Sequence, residues 1–228
     1  FGDYGYLSPL DHVNRSQSTN DTYPSAVKLA LVYALTRLGQ ELGLPRNSFA
    51  GKGREFRDVL KVGRTQLQDA VPMTLGQEFW GFSTTLGEDI NLVDLTVPAL
   101  YELNLGATAI GTGITASPDY APAVLKHLRR ITGIDGLRNA ADLIEATSDT
   151  GVFMTVSATL RRTAMKLSKI CNDLRLLSSG PQAGFGEINL PTKQAGSSIM
   201  PGKVNPVIPE AVNQVAFIVA GSDVTIAM

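Results

Sequence analysis

The stretch "GSSIMPGKVNP", Gly196 to Pro206, packs a hydroxyl, a cation and a side-chain amide into one short run. Ser197 stands six residues before Lys203 and eight before Asn205. That spacing can place a base, a positive charge and an amide donor around one small substrate. A serine hydroxyl is a poor base unless its alkoxide is stabilised, and backbone N–H groups, helix ends and a nearby cation can supply that stabilisation in a dry site. The glycines and prolines let the run bend sharply, so a flexible surface linker is the competing reading.

Two further stretches carry the same kind of chemistry. "NRSQSTND" covers Asn14 to Asp21, "GRTQLQDAVPMT" covers Gly63 to Thr74, and "GATAIGTG" at 106–113 is read as an accessory to the opening stretch. Each sets Ser, Thr, Asn or Gln beside a helix start, where free backbone N–H groups favour anions. Together they suit a small carboxylate-bearing ligand. Taken singly, Ser-Thr-Asn-Asp is also an ordinary helix cap, and "GRTQ" is also a polar turn.

The elements that must position these stretches read as helices. A first helix is expected to start near Pro24, capped by Asn20, Asp21 or Thr22, and to end at Gly43 and Pro45. A shorter one is expected over 47–60, and a long one from Thr74 to about Leu103 with a possible kink at Pro98. Residues 104–119 are too rich in Gly and Thr for a helix, and helices are expected again at 119–132 and 139–147. The clearest period lies in 149–178, where Phe153, Val156, Leu160, Ala164, Leu167, Cys171, Leu174 and Leu177 step by three and four. Met154, Met165, Ile170 and Leu176 add apolar surface on its other sides. A rod of roughly 45 Å with so much apolar surface points to packing against other subunits. Strand signals are weak, so the expected fold class is all-α, a long-helix bundle punctuated by polar loops.

Composition narrows the function classes. A formal net charge of −1 over 228 residues lacks the basic surface that draws nucleic acid. No apolar run approaches the length of a membrane span, which needs about 20 residues. The opening "FGDYGYLSPLD" has no secretory-signal pattern. Cys171 is the only cysteine, which excludes an intramolecular disulfide and fits a reducing cytoplasm; it reads as a small buried hydrophobe. His127 reads as solvent-facing, the place of His12 relative to the site stays open, and neither joins a metal or triad pattern. The chain opens without Met and closes on an unterminated helical pattern. Residues 1–228 are therefore expected to be the central helical domain of a longer protein.

"GSSIMPGKVNP" resembles the signature of the aspartase/fumarase superfamily. "SQSTND" and "GRTQLQDAVPMTLGQEF" resemble the two other blocks of that family's active site, in the same order. "NLGATAIGTG", "DLIEATSD" and "KLSKICNDLRLLSSGP" extend the likeness over essentially the whole chain. The resemblance implies an all-helical homotetramer whose active sites combine loops from three subunits, so the three loops of one chain would not meet within it. It also implies an anti elimination that yields fumarate through an aci-carboxylate intermediate, with no organic cofactor. Ser197 corresponds to the general base, and Lys203 and Asn205 to the residues that hold the substrate carboxylate and its developing charge. Ser18, Thr19 and Asn20 match one substrate-binding block, Thr65 and Gln66 the other. Ser198 is expected to shape the loop, and Glu210 to serve a polar network.

Hydratases of this family carry His where this chain has Gln66. Imidazole suits the delivery of water near pH 7, whereas glutamine exchanges no proton but can hold a carboxylate. The resemblance, with Gln66 in place of that His, implies loss of ammonia from L-aspartate as the expected reaction. A fumarate hydratase and a catalytically silent homologue remain the alternatives. No cluster with metal-ligand spacing is visible in the sequence.

Overall fold

The computed structural model describes residues 2–228. Its helices are α1 (Thr19–Glu55), α2 (Leu75–Thr96), α3 (Tyr120–Thr132), α4 (Leu143–Ser148), α5 (Gly151–Leu177) and α6 (Val207–Ala227). A π-helical turn covers Pro9–Val13 and a 3-10 turn covers Val97–Tyr101. Strands are confined to an antiparallel hairpin, β1 (Leu60–Thr65) with β2 (Gln68–Thr74), and a short parallel pair, β3 (Glu102–Leu103) with β4 (Arg138–Asn139). The fold is all-α in class. Two compact units form, one of residues up to Gly39 with Val93–Val152, the other of Gln40–Leu92 with Phe153–Met228.

In the first unit, Leu103, Leu105 and Leu137 are buried, with Leu29 of α1 and Val124, Leu125 and Leu128 of α3 packed against them. The 3–4 spacing of the α3 residues is what turns its apolar stripe to that core. Helix α1 begins one turn earlier than its sequence suggests. Ser18 caps it, its Oγ accepting from Asn20 N at 3.2 Å, while Asp21 Oδ1 accepts from Ser18 N at 2.9 Å. This reciprocal arrangement is a capping box. Pro24 then falls inside the helix and has no N–H for Asn20 O. The amide of Asn104 donates to that carbonyl instead, at 3.1 Å. A tertiary bond thus repairs the gap left by proline.

In the second unit, the core is aromatic. Phe79 and Phe82 of α2 lie 5.6 Å apart by ring centroid, and Phe49 of α1 sits 6.0 and 5.5 Å from them. Leu75, Leu86 and, from α5, Ile170 complete the buried set. This cluster explains why α1 does not stop at Gly43 and Pro45. A proline inside a helix costs about 3 kcal/mol, but ending there would pull Phe49 and Phe56 out of the core. The hydroxyl of Ser83 also donates to Arg46 O at 3.0 Å.

Helix α2 starts where expected, in a capping box: Thr74 N donates to Gln77 Oε1 at 2.9 Å, and Gln77 N to Thr74 Oγ1 at 3.2 Å. It ends at Thr96 rather than near Leu103, because Pro98 tightens the chain into the 3-10 turn that follows. Helix α4 starts at Leu143 rather than 139, since Asn139 is spent pairing its amide with the N–H and carbonyl of Leu105.

Helix α5 matches its periodicity closely. Val156, Cys171 and Leu177 are buried as the seam requires, and so are Ser157, Thr159, Thr163 and Ser168. Ser157 Oγ donates to Asp223 of α6 at 2.7 Å, and Arg161 pairs with the same carboxylate at 2.8 Å. Helix α6 turns Asn213 and Asp223 inward and leaves Val215, Phe217, Ile218 and Val224 exposed. No helix among the described residues is long and apolar enough to cross a membrane.

Candidate active site

Four non-glycine residues have positive φ among the described residues: Ser16 (62°), Gln66 (51°), Leu67 (63°) and Thr108 (57°). All four fall in the polar stretches that the sequence singles out. Left-handed backbone is costly for L-residues and persists only where surrounding structure imposes it.

The first stretch, with Ser18, Thr19 and Asn20, forms the N-terminal turn of α1. Asp21 is fully buried behind it. Its Oδ2 accepts from the N–H groups of Gly106 and Thr108, both at 3.1 Å, and Asn20 Nδ2 donates to Ala109 O at 2.7 Å. The segment 106–113, taken from sequence as an accessory to the Ser197 stretch, is bonded to this first stretch. Thr19 and Asn20 are exposed beside it, and Ser18 is half-buried. His12 Nδ1 accepts from Ser8 N at 2.9 Å within its own turn, and His127 is exposed.

The second stretch is a hairpin rather than an irregular loop. Thr65 pairs with Gln68, so Gln66 and Leu67 alone make the turn, both left-handed. Such a two-residue turn normally draws Asn-Gly or Asp-Gly, and the absence of that signal hid the hairpin. Thr65 and Gln66 are exposed at its tip. Gln66 and Leu67 line a cleft of 310 Å³ with Lys61, Glu78 and residues of α5.

A charged cluster at the base of this hairpin was not evident from sequence. Lys61, only 8% exposed, pairs with Glu78 and, at 3.0 Å, with Glu187. Arg64 Nη2 lies 2.5 Å from Glu187 Oε1 and its guanidinium 4.0 Å from the Phe185 ring centroid. Burial alone would raise the Glu187 carboxyl, but its bonds to Arg64 and Lys61 hold it below the usual glutamate value. The same bond to Glu187 raises the Arg64 guanidinium above its ordinary value.

In the third stretch, Ser197 is half-buried and its Oγ accepts from two backbone N–H groups, Ile199 at 3.2 Å and Met200 at 3.4 Å. Lys203 N donates to Met200 O at 3.1 Å, and Gly202 takes the left-handed conformation that closes the bend (φ 83°). Lys203 is exposed and Asn205 half-buried. Ser197, Lys203 and Asn205 share one folded loop, but among the described residues no hydrogen bond joins them to Thr65 or Gln66. Burial raises the Cys171 thiol above its ordinary value, with Arg175 opposing, which leaves the thiol protonated and inert. No cluster of three or more His, Cys, Asp or Glu that could hold a metal occurs among the described residues.

The mainly helical frame thus carries polar loops, some with left-handed residues and one with two backbone N–H groups turned onto a serine oxygen. Residues 4–221 match the family model described as "Lyase", and the chain belongs to that family. Over its 228 residues it is 60% identical to the aspartate ammonia-lyase of Pseudomonas aeruginosa, covering 100% of this chain and 48% of that one. It is 56% identical over 227 residues to the aspartate ammonia-lyase of Escherichia coli K12, covering 100% and 47%. Among solved structures, a fumarate lyase:delta crystallin from Brucella melitensis superposes with a TM-score of 0.94 at 57% identity, covering 98% of this chain and 48% of that one. A class II fumarase from Schistosoma mansoni superposes at 0.90 with 34% identity, covering 95% and 48%. The chain spans about half the length of the curated relatives it matches.

Proposed function

We propose that this chain is the central part of an aspartate ammonia-lyase, converting L-aspartate to fumarate and ammonia. The observation that carries the reading is identity of 56–60% along the entire chain to enzymes of that name. The fold does not discriminate between rivals, since a fumarase superposes nearly as well. Gln66 supports the ammonia-lyase: a glutamine at the hairpin tip can hold a carboxylate but cannot take a proton from an attacking water.

In this mechanism the Ser197 alkoxide takes a proton from the carbon next to one substrate carboxylate. The electron pair left behind spreads into that carboxylate as a doubly charged enediolate. It then closes the carbon–carbon double bond as the C–N bond breaks, and the amine, already protonated in the substrate, departs as ammonia without further acid assistance. The Ile199 and Met200 N–H groups at Ser197 Oγ support the basic role, because donors fixed at an oxygen favour its anionic form. Lys203 and Asn205 hold the charge that develops. Ser18, Thr19, Asn20, Thr65 and Gln66 bind the substrate ends. The exposed apolar residues of α6 support assembly with other copies into a homotetramer, where stretches from different subunits complete each site. The lone buried cysteine fits a cytoplasmic setting.

The test is fumarate release, followed by ultraviolet absorbance, from the full-length protein offered L-aspartate or L-malate. Release from aspartate alone, lost in Ser197→Ala, is the expected result. Release from malate would make the protein a hydratase and overturn the reading of Gln66. Silence with both, from a protein shown to be an intact tetramer, would point to another succinyl substrate or a retired scaffold.

A further inference from the structure

Glu187 lies outside all three polar stretches, yet it anchors the hairpin that carries one of them. Lys61 and Arg64, three residues apart on a strand, would ordinarily face opposite sides. Here the register shifts between Val62 and Arg64, so that two residues of β2, Ala70 and Val71, stand opposite Gly63. The extra residue belongs to β2 and sharpens the local twist of the hairpin, and on β1 both long cationic side chains reach Glu187, at 3.0 and 2.5 Å. Gly63 permits the distortion, because a Cβ there would lie 2.9 Å from Val71 O.

Glu187 is itself held firmly. Its N–H donates to Leu177 O at 2.8 Å, Gly186 N donates to Ser179 O at 2.8 Å, and Ile188 packs on the aromatic core. The loop is thus folded back on the C-terminal end of α5, and Phe185 lies against the Arg64 guanidinium. A lone two-stranded hairpin is marginal in water, and this one bears two left-handed residues at its tip. It needs an outside anchor, and the partly buried carboxylate of Glu187 is the point where its two cations, Lys61 and Arg64, converge.

We infer that Glu187 is a positioning residue for Gln66, acting through Lys61 and Arg64 to fix the hairpin tip at which the substrate carboxylate is bound. The inference rests on the reading of Gln66 as a substrate-binding residue. Glu187 touches no substrate; it sets where the amide of Gln66 is presented, and its loss lowers substrate affinity more than turnover.

The experiment measures KM and kcat for L-aspartate in the full-length enzyme, comparing Glu187→Gln, Gln66→Ala and the double variant. Glu187→Gln is expected to raise KM about tenfold while kcat changes by less than about threefold. Glu187→Asp, which keeps the charge, is expected to recover part of that loss. In the Gln66→Ala background, Glu187→Gln is expected to add less than about twofold, because the two residues act as one unit. An unchanged KM in Glu187→Gln, or additive effects in the double variant, overturns the inference alone. An unchanged KM in Gln66→Ala sinks the site reading and the inference with it. Should Glu187→Gln fail to fold, Phe185→Leu probes the same clamp without altering charge: a KM raised by about threefold supports it, and an unchanged KM overturns it.

Discussion

The buried carboxylate of Asp21 accepts a hydrogen bond from the backbone N–H of Thr108 at 3.1 Å, tying the first turn of α1 to a segment 87 residues away. The same carboxylate serves Ser18 N and Gly106 N. Asp21→Ala leaves three N–H groups without their acceptor, and each such buried donor costs about 1–3 kcal/mol. A loss of at least about 3 kcal/mol is expected from urea unfolding, with Asp21→Asn milder because one oxygen remains. An unchanged midpoint in Asp21→Ala would refute the brace.

Leu67 holds a left-handed conformation and is 64% exposed. That backbone costs an L-residue about 1–2 kcal/mol, and glycine returns about 0.5–1 kcal/mol of this through the entropy of the unfolded chain. Leu67→Gly is expected to stabilise the protein by about 0.5–1 kcal/mol, read as a modest rise in Tm. A lower Tm would show that packing of Leu67 outweighs its strain.

Helices α1 and α2 meet closely at Gly76. A Cβ on it would stand 2.5 Å from Gly53 O and 2.7 Å from Arg57 Cα, both backbone atoms that cannot swing aside. Gly76→Ala is expected to cost about 1–3 kcal/mol or more by overpacking, despite the better helix propensity of alanine. Chemical denaturation measures the loss, and a stabilised variant would contradict the contact.

Acid should weaken the hairpin anchor. Burial opposes ionisation of Glu187, but Arg64 and Lys61 hold its carboxyl below the usual glutamate value. The unfolded chain therefore binds the proton at a higher pH than the folded one. The stabilisation is complete above the ordinary glutamate range and is lost as pH falls from there through the depressed folded value. Unfolding free energies measured against pH should fall less steeply on the acid side in Glu187→Gln than in the parent. Parallel acid limbs would show that Glu187 is not linked to folding.

Much of this was legible along the chain. The three-and-four spacing from Phe153 to Leu177 marked α5 to within two residues of its ends, and the helix expected over 119–132 is α3. The start of α2 falls at Thr74 as expected, where Thr74 and Gln77 cap each other. Helix ends set by distant partners were not legible. Pro24 and Pro45 read as boundaries because proline lacks an N–H, and only Asn104 and the phenylalanine cluster make them tolerable inside α1. The hairpin escaped notice because its turn is Gln-Leu, residues with no preference for left-handed backbone.

The polar side-chain types suited to a small carboxylate-bearing ligand, their order, and the helical class of the fold are readable from sequence alone, because caps, loops and hydrophobic periodicity are local in the chain. Tertiary structure decided which loops are held and by what: Asp21 reaching Gly106 and Thr108, and Glu187 gathering Lys61 and Arg64. Buried charges and strained turns are stable only when partners close around them. Most of those partners lie far along the chain, where no local pattern announces the pairing.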